Sequence, residues 1–466
     1  MTFTAQNTAQ AREKNQSHRP KEENAKTDEQ HDAFKWYWMS CIFALLITMY
    51  LHNSWRTTEI PDHLIGHTSR FYPEFITEET RIELVELVKS MQIFKTLNKD
   101  TVPVNRTYKN VGEAMPILED GTCSEPFFIP TLDGTQCILP GRYEMNRHWM
   151  KYGGLEGLKE TYEELTSRIK FFMYARYVFD IKNHPVVKSL FYSEKFIKAA
   201  KEICPAHKQV LDPYQFIFIL QVPGQTIPIH LDPPYFDRTS RYHIPEWLLI
   251  VMIGSGLFKD QMHDHVQGVA YLHEWNTSQN AGNFAYFDKN EIVPSYISPN
   301  PRAVMLMDGS KTMHAAALYK TEVKPPLLPE TAENELKFNL TDDLWELRSD
   351  EKLLKKYKTS ELRISIVYRA LCFENEDKMK TFHEWIHSGE NVQPLEEILE
   401  KLKEELVKAK GFSRKSLDTM SKFDLATVLV DEFVKYPLPT NSLFPYNYCF
   451  LPTIYPWTES IFKYIC

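Results

Sequence analysis

At Asp212 the texture of the sequence changes. From there to Phe373, short runs rich in Val, Ile, Phe and Tyr follow one another: YQFIFILQV (214–222), TIPIHL (226–231), VQGVAYLHEW (266–275), GNFAYFD (282–288), RAVMLMD (302–308), MHAAALY (313–319) and LRISIVYRALCF (362–373). Runs this short, bounded by Gly, Pro, Asn or Asp, argue for antiparallel strands in a sandwich or barrel. The run WLLIVMIGSGLF differs, because Pro245 before it suits a first helical turn; it is expected to be a helix inserted between strands.

The flanks read differently. Residues 53–211 are expected to be mainly helical: TEETRIELVELVKSMQIFKTL carries apolar residues at helical spacing behind a candidate N-cap, Thr77. Helical segments also start at Leu155 and Pro185. Residues 374–466 return to helix in PLEEILEKLKEELVKA and SRKSLDTMSKFDLATVLVDEF, then end in a Pro/Tyr/Trp-rich tail expected to pack back on the body. Inside the strand region, 320–360 is a Pro-rich then charged insertion, expected to form a surface excursion with its own short helix. The fold class is therefore α+β, a β core over 212–373 with flanking helices.

Residues 1–33 are polar and charged, too poor in apolar groups to offset the entropy of ordering, and read as a disordered tail. Trp36 to Leu51 then carries no charged side chain and opens with aromatics, so residues 34–52 are expected to form a transmembrane signal-anchor helix. Lys21, Lys26 and Lys35 before it outnumber Arg56 and Arg70 after it. That excess predicts a single-pass type II protein with its catalytic domain in the endoplasmic reticulum or Golgi lumen, where sequons at Asn105, Asn276 and Asn339 would suit. With 54 Lys+Arg against 62 Asp+Glu the chain lacks the basic balance that phosphate-backbone binding needs, and nucleic acid is not an expected partner.

None of the seven cysteines has CxxC spacing, so a structural zinc site or thioredoxin-type centre is not indicated. Cys123 and Cys137 flank a Gly/Pro-bearing loop that a disulfide would close; free buried thiols are the alternative.

Two metal patterns compete. His230 and Asp232 stand two apart on an extended segment, where both side chains point one way and can grip one ion. A further ligand is needed from another strand for a two-histidine, one-carboxylate Fe(II) centre, and His314 in RAVMLMDGSKTMHAAALY supplies it. On QVPGQTIPIHLD, AGNFAYF, ISPNPRAVMLMDGSKTMHAAAL and RISIVYR, over about residues 212–373, the chain resembles the 2-oxoglutarate/Fe(II)-dependent oxygenase superfamily, with features of its prolyl-hydroxylase-like and phytanoyl-hydroxylase-like branches.

The resemblance implies a double-stranded β-helix (jelly-roll) holding Fe(II) through His230, Asp232 and His314, a metal and catalytic triad, with 2-oxoglutarate and O2 as co-substrates and ascorbate as an accessory reductant. It implies hydroxylation of an unidentified protein side chain, lipid or small molecule with release of succinate and CO2. Arg363 resembles the residue that clamps 2-oxoglutarate, with Ser365 two residues on; the family places its arginine sooner after the second histidine, so Lys324 competes. Tyr286 is a further candidate for cofactor binding, and Tyr214 and Gln221 for the pocket wall. Arg369, further along the strand, reads as a surface or core-edge pair.

The rival is HEWIH. His383, Glu384 and His387 have the spacing of a zinc metallopeptidase helix, but Gly389 ends that helix at once and no Gly-x-x-His follows. The plainer reading is a surface helix with Trp385 and Ile386 facing the core. His263, Asp264 and His265 in MHDHV read as a solvated turn. A third possibility is a membrane-tethered binding module of the oxygenase fold without turnover.

Overall fold

A computed structural model describes residues 34–50, 59–96, 114–131, 134–169, 173–275, 281–289, 293–329, 332–442 and 445–466. The tail 1–33, the sequons at Asn105 and Asn276 and several connecting segments lie outside them. The chain divides between Thr57 and Thr58 into two units. In the first, residues 34–50 are helical. Among the described residues, however, no helix is long and apolar enough to cross a membrane, which overturns the expected anchor over 34–52 and the single-pass lumenal placement built on it. Amphipathic Trp36, Tyr37, Trp38 and Tyr50 and polar Ser40 and Thr48 dilute the apolar run.

The second unit mixes helices with antiparallel sheets. Eight strands carry its centre: β1 (Val210–Gln221), β2 (Ile227–His230), β3 (His265–Tyr271), β4 (Phe284–Tyr286), β5 (Ser295–Ile297), β6 (Val304–Met307), β7 (His314–Ala316) and β8 (Arg363–Phe373). They divide between two sheets: β6-β3-β8-β1 lie side by side in a larger sheet, and β5-β4-β7-β2 form a smaller one. Except for the β4–β5 hairpin, which stays in the smaller sheet, chain neighbours thus alternate between the two sheets.

Period two along each strand decides what faces what. On β8, Arg363, Ser365, Val367 and Arg369 line a cavity between the sheets, while Ile364, Ile366, Tyr368 and Ala370 turn outward into an apolar core. β1 does the same, with Ile217, Ile219 and Gln221 inward and Phe216, Phe218 and Leu220 outward. Helices Glu78–Met91, Pro185–Phe191 and Glu194–Lys201 pack on that outer face. Thr77 caps the first of them, its hydroxyl accepting from Thr80 N at 3.2 Å.

The outer face of the small sheet, Ile229, Ala285 and Ala315, packs against a second core. There the Glu246–Ser255 helix is buried along nearly its whole length against Leu429, Val430 and Phe433 of the Lys422–Phe433 helix. An apolar all-round helix has no other stable place.

Local structure departs from expectation in part. Among its described residues the insertion is mainly an antiparallel meander, Asn334–Asn339, Leu344–Ser349 and Lys352–Tyr357, with helix confined to the single 3-10 turn Thr359–Glu361, and it extends the large sheet through Ile93–Thr96 and Tyr174–Tyr177 to ten strands. Its inward Leu336 and Phe338 alternate with Lys337 and Asn339, so the charges mark the solvent side of a strand. The helical pattern from Leu155 stops at Ile169, and Tyr174–Tyr177 pairs with β1 instead. The C-terminal tail buries Cys449 and Phe450 but leaves Trp457 and Tyr464 exposed. Disulfides join Cys123 to Cys137, Cys204 to Cys372 and Cys449 to Cys466, the first as the loop suggested.

Candidate functional site

His230, Asp232 and His314 converge. Among the described residues they form the one group of three whose ligand atoms lie within 4.8 Å of one another. His314 opens β7 and pairs across the sheet with His230 at the end of β2. The register slips by one residue between that pair and Ala316–Ile227, a bulge that turns His230 into the cavity while Ile229 stays in the outer core.

Each imidazole is fixed by its far nitrogen. His230 Nδ1 donates to Pro228 O at 2.7 Å and His314 Nδ1 to Thr312 O at 2.9 Å, so each ring carries its lone pair on Nε2, that of His314 lying 3.1 Å from the Gln267 side-chain amide. Burial, and then the neighbouring His314, depress the His230 pKa well below the usual imidazole value, so the ring stays neutral and ligand-competent.

Asp232 is held by Arg369, not by solvent. The guanidinium donates Nη2 to Oδ1 at 2.7 Å and Nε to Oδ2 at 3.2 Å. Burial alone would raise the carboxyl pKa; Arg369 and the imidazoles overcome it and keep the group ionised far below the ordinary carboxylate range. Arg369 is therefore no surface pair. Asp232 N also donates to Gly309 O at 2.8 Å, in a turn organised by Asp308, whose Oδ1 accepts from Ser310 N at 3.0 Å. From the other side Arg142 Nη2 donates to Leu231 O at 3.0 Å.

His265 and Asp264 are buried, contrary to the solvated turn expected of MHDHV. His265 Nε2 comes within 3.9 Å of Asp232 Oδ2 and its Nδ1 within 3.2 Å of Asp308; Asp264 pairs with Lys208 at 2.7 Å and with Lys311.

The ligand atoms face a cavity of about 450 Å³. Arg363 and Ser365 line it. Arg363 is 4% exposed, and its Nη1 has no hydrogen-bond partner. Such an orphaned donor in an interior site calls for an acceptor. Burial lowers the pKa of this arginine, while the ring of Tyr271 lies under its guanidinium at 5.8 Å. Lys324 does not line the cavity: its side chain is 65% exposed and its ammonium pairs with Glu164. Tyr214 and Gln221 line the cavity as expected, but Tyr286 does not; it stacks beside Phe284 at 6.1 Å, and Tyr271 is the tyrosine at Arg363.

The HEWIH residues make no centre. Glu384 is exposed on the Glu376–Ser388 helix, His383 pairs with Asp212 at 3.0 Å, and His387 Nδ1 donates to His383 O at 2.6 Å. Phe382 is the buried anchor of that helix, with Trp385 and Ile386 packed beside it.

Sequence reasoning missed Arg142, Gln267 and Tyr271. Gln267 lies on β3 with its side-chain amide 3.1 Å from His314 Nε2. A polar residue at an inward position of an apolar strand, as in VQGVAYL, was the available signal.

No family model matches the chain, and no curated protein matches it. Among solved structures it is similar to a prolyl hydroxylase from Trichoplax adhaerens crystallised with a peptide fragment (10% identity, 72% of this chain and 96% of that one, TM-score 0.31). A 2OG-Fe(II) oxygenase family oxidoreductase from Burkholderia pseudomallei matches at 9% identity over 44% and 68%, TM-score 0.25. HygX from Streptomyces hygroscopicus, with nickel and 2-oxoglutarate bound, matches at 9% over 43% and 69%, TM-score 0.23. At these values the overlap carries no argument of its own, and the chemistry rests on the side chains above.

Proposed function

We propose that the protein is an Fe(II)- and 2-oxoglutarate-dependent oxygenase on a double-stranded β-helix, hydroxylating its substrate with release of succinate and CO2. One observation carries the reading: a face of two imidazoles and a carboxylate shares a cavity with a buried guanidinium whose Nη1 has no hydrogen-bond partner. Three protein ligands leave the remaining octahedral positions free, which suits non-haem Fe(II) better than a closed structural site. Iron held by His230, Asp232 and His314 would supply oxygen activation, coupled to decarboxylation of 2-oxoglutarate.

The chain supplies the rest. His230 and His314 present neutral nitrogens from adjacent strands, and Arg369 keeps Asp232 ionised and correctly turned. Arg363 offers its fork to the distal carboxylate of 2-oxoglutarate, with Ser365 and Tyr271 beside it. Ile217, Ile219, Val269 and Val367 wall the cavity with apolar surface, which excludes water and strengthens those polar contacts.

The test is equilibrium binding of 2-oxoglutarate to the full chain loaded with Mn(II). Wild type binds it only with metal present; Arg363→Gln keeps the metal and loses at least tenfold in 2-oxoglutarate affinity. Metal-independent binding, or wild-type affinity in Arg363→Gln, overturns the assignment.

A further inference from the structure

The metal face and Arg363 leave part of the cavity unused. Toward its mouth, Arg241 enters from the loop after Asp232, ahead of the Glu246–Ser255 helix. Its Nε is buried without a hydrogen-bond partner. Its Nη1 stands 3.5 Å from Glu246 Oε1, a loose pair that does not engage Nε. Tyr235, Tyr214 and Tyr177 lie close enough to act electrostatically on this guanidinium, and all line the cavity.

Arg241 thus brings a buried, unpartnered donor into a cavity that Tyr177, Tyr214 and Tyr235 also line, and phenol hydroxyls can donate to an anion as well as accept. A structural arginine in the same place would be expected to have its donors taken up by carbonyls or a close carboxylate, as Arg142 does with Leu231 O and Glu144.

Resting on the oxygenase reading, we infer that the substrate carries a carboxylate, which docks on the Nε edge of Arg241 among Tyr177, Tyr214 and Tyr235. A carboxylate fits because its two oxygens match one edge of a guanidinium, in parallel hydrogen bonds that a point charge would not need. Tyr214 also neighbours Arg369, the partner of Asp232, so the subsite adjoins the metal face and an anchored acid presents its adjoining carbons there. At the mouth Phe179 is 92% exposed and stacked on Tyr177 at 5.6 Å, a flat apolar surface for the remainder of the molecule.

The experiment uses the full chain loaded with Mn(II) and saturated with 2-oxoglutarate, so that Arg363 is already engaged. The probes are phenylacetate and phenylacetamide, one shape with and without the charge, titrated by calorimetry. The expected result is binding of the acid at least tenfold tighter than the amide. Arg241→Gln abolishes the preference and Arg241→Lys restores part of it, while 2-oxoglutarate affinity stays at its wild-type value in both. Equal binding of acid and amide, no binding of either, or a preference that survives Arg241→Gln overturns the inference. Failure of the oxygenase reading is seen separately, as absence of metal-dependent 2-oxoglutarate binding in the wild type.

Discussion

Gly309 stands where a methyl group does not fit. Its φ is not positive, so alanine could adopt the same backbone and the conflict is purely steric. A Cβ there would press into Asp232 Oδ2 and lie 3.2 Å from both Asp232 Cγ and His314 Cε1. Carbon contacts become comfortable near ~3.5 Å, so the carboxylate must retreat by roughly 1 Å. It is not free to do so, being gripped by Arg369 and tied through its own N–H to Gly309 O.

Gly309→Ala is therefore expected to cost ~1–3 kcal/mol of stability, the usual range for overpacking. Displacing one of three ligands by this much should weaken metal binding by about 10- to 100-fold. Urea unfolding of the metal-free protein reads the first quantity, and Mn(II) titration followed by electron paramagnetic resonance reads the second. A folded Gly309→Ala protein with wild-type Mn(II) affinity would refute the reasoning, because it would mean that Asp232 need not stay where the turn confines it.

Other outcomes follow from the same geometry. Arg369→Met leaves the buried Asp232 charge uncompensated and should destabilise the metal-free protein by ~3–5 kcal/mol; Mn(II) should recover much of that, and an equal loss with and without metal would count against the pairing. His383→Ala and His387→Ala should leave metal stoichiometry unchanged and cost about 1 kcal/mol or less each, since His383 is a half-exposed partner of Asp212 and His387 is exposed; loss of bound metal would revive the peptidase reading. Burial lowers the His148 and His273 pKa values to about 4 and about 3, so both stay neutral in the fold while the unfolded chain protonates near ~6.5. Their contribution is complete above that value and lost as pH falls toward 4 and below, a loss of ~3 kcal/mol for His148 alone. Urea midpoints that are flat between pH 7 and 4 would contradict it.

The candidate ligands were legible because their chemistry is written locally: His230 and Asp232 are two apart on an extended segment and His314 follows a Gly turn on another strand. Arg363 was legible from the resemblance of RISIVYR to the family's Arg-x-Ser element, and it lines the same cavity. What surrounds them was not. Arg142 and Arg241 reach the cavity from a helix start and a loop, where no periodicity predicts direction, and Arg369 became a partner of Asp232 only through the pairing of distant strands. Tyr286 lies on the strand beside β7, yet position along the strand keeps it from the cavity, while Tyr271 on the facing sheet meets Arg363. The 334–357 meander was not foreseen because the length of the insertion calls only for some local structure of its own; along Asn334–Asn339 the charged Glu335 and Lys337 alternate with buried Leu336 and Phe338.

The central claim is tested most directly by Fe(II)-dependent conversion of 2-oxoglutarate to succinate, measured anaerobically reconstituted and then aerated, in the full chain and in His314→Ala. The account predicts succinate release that needs added Fe(II) and falls at least a hundredfold in His314→Ala. No iron-dependent release from the wild type, or equal release from both proteins, would contradict it.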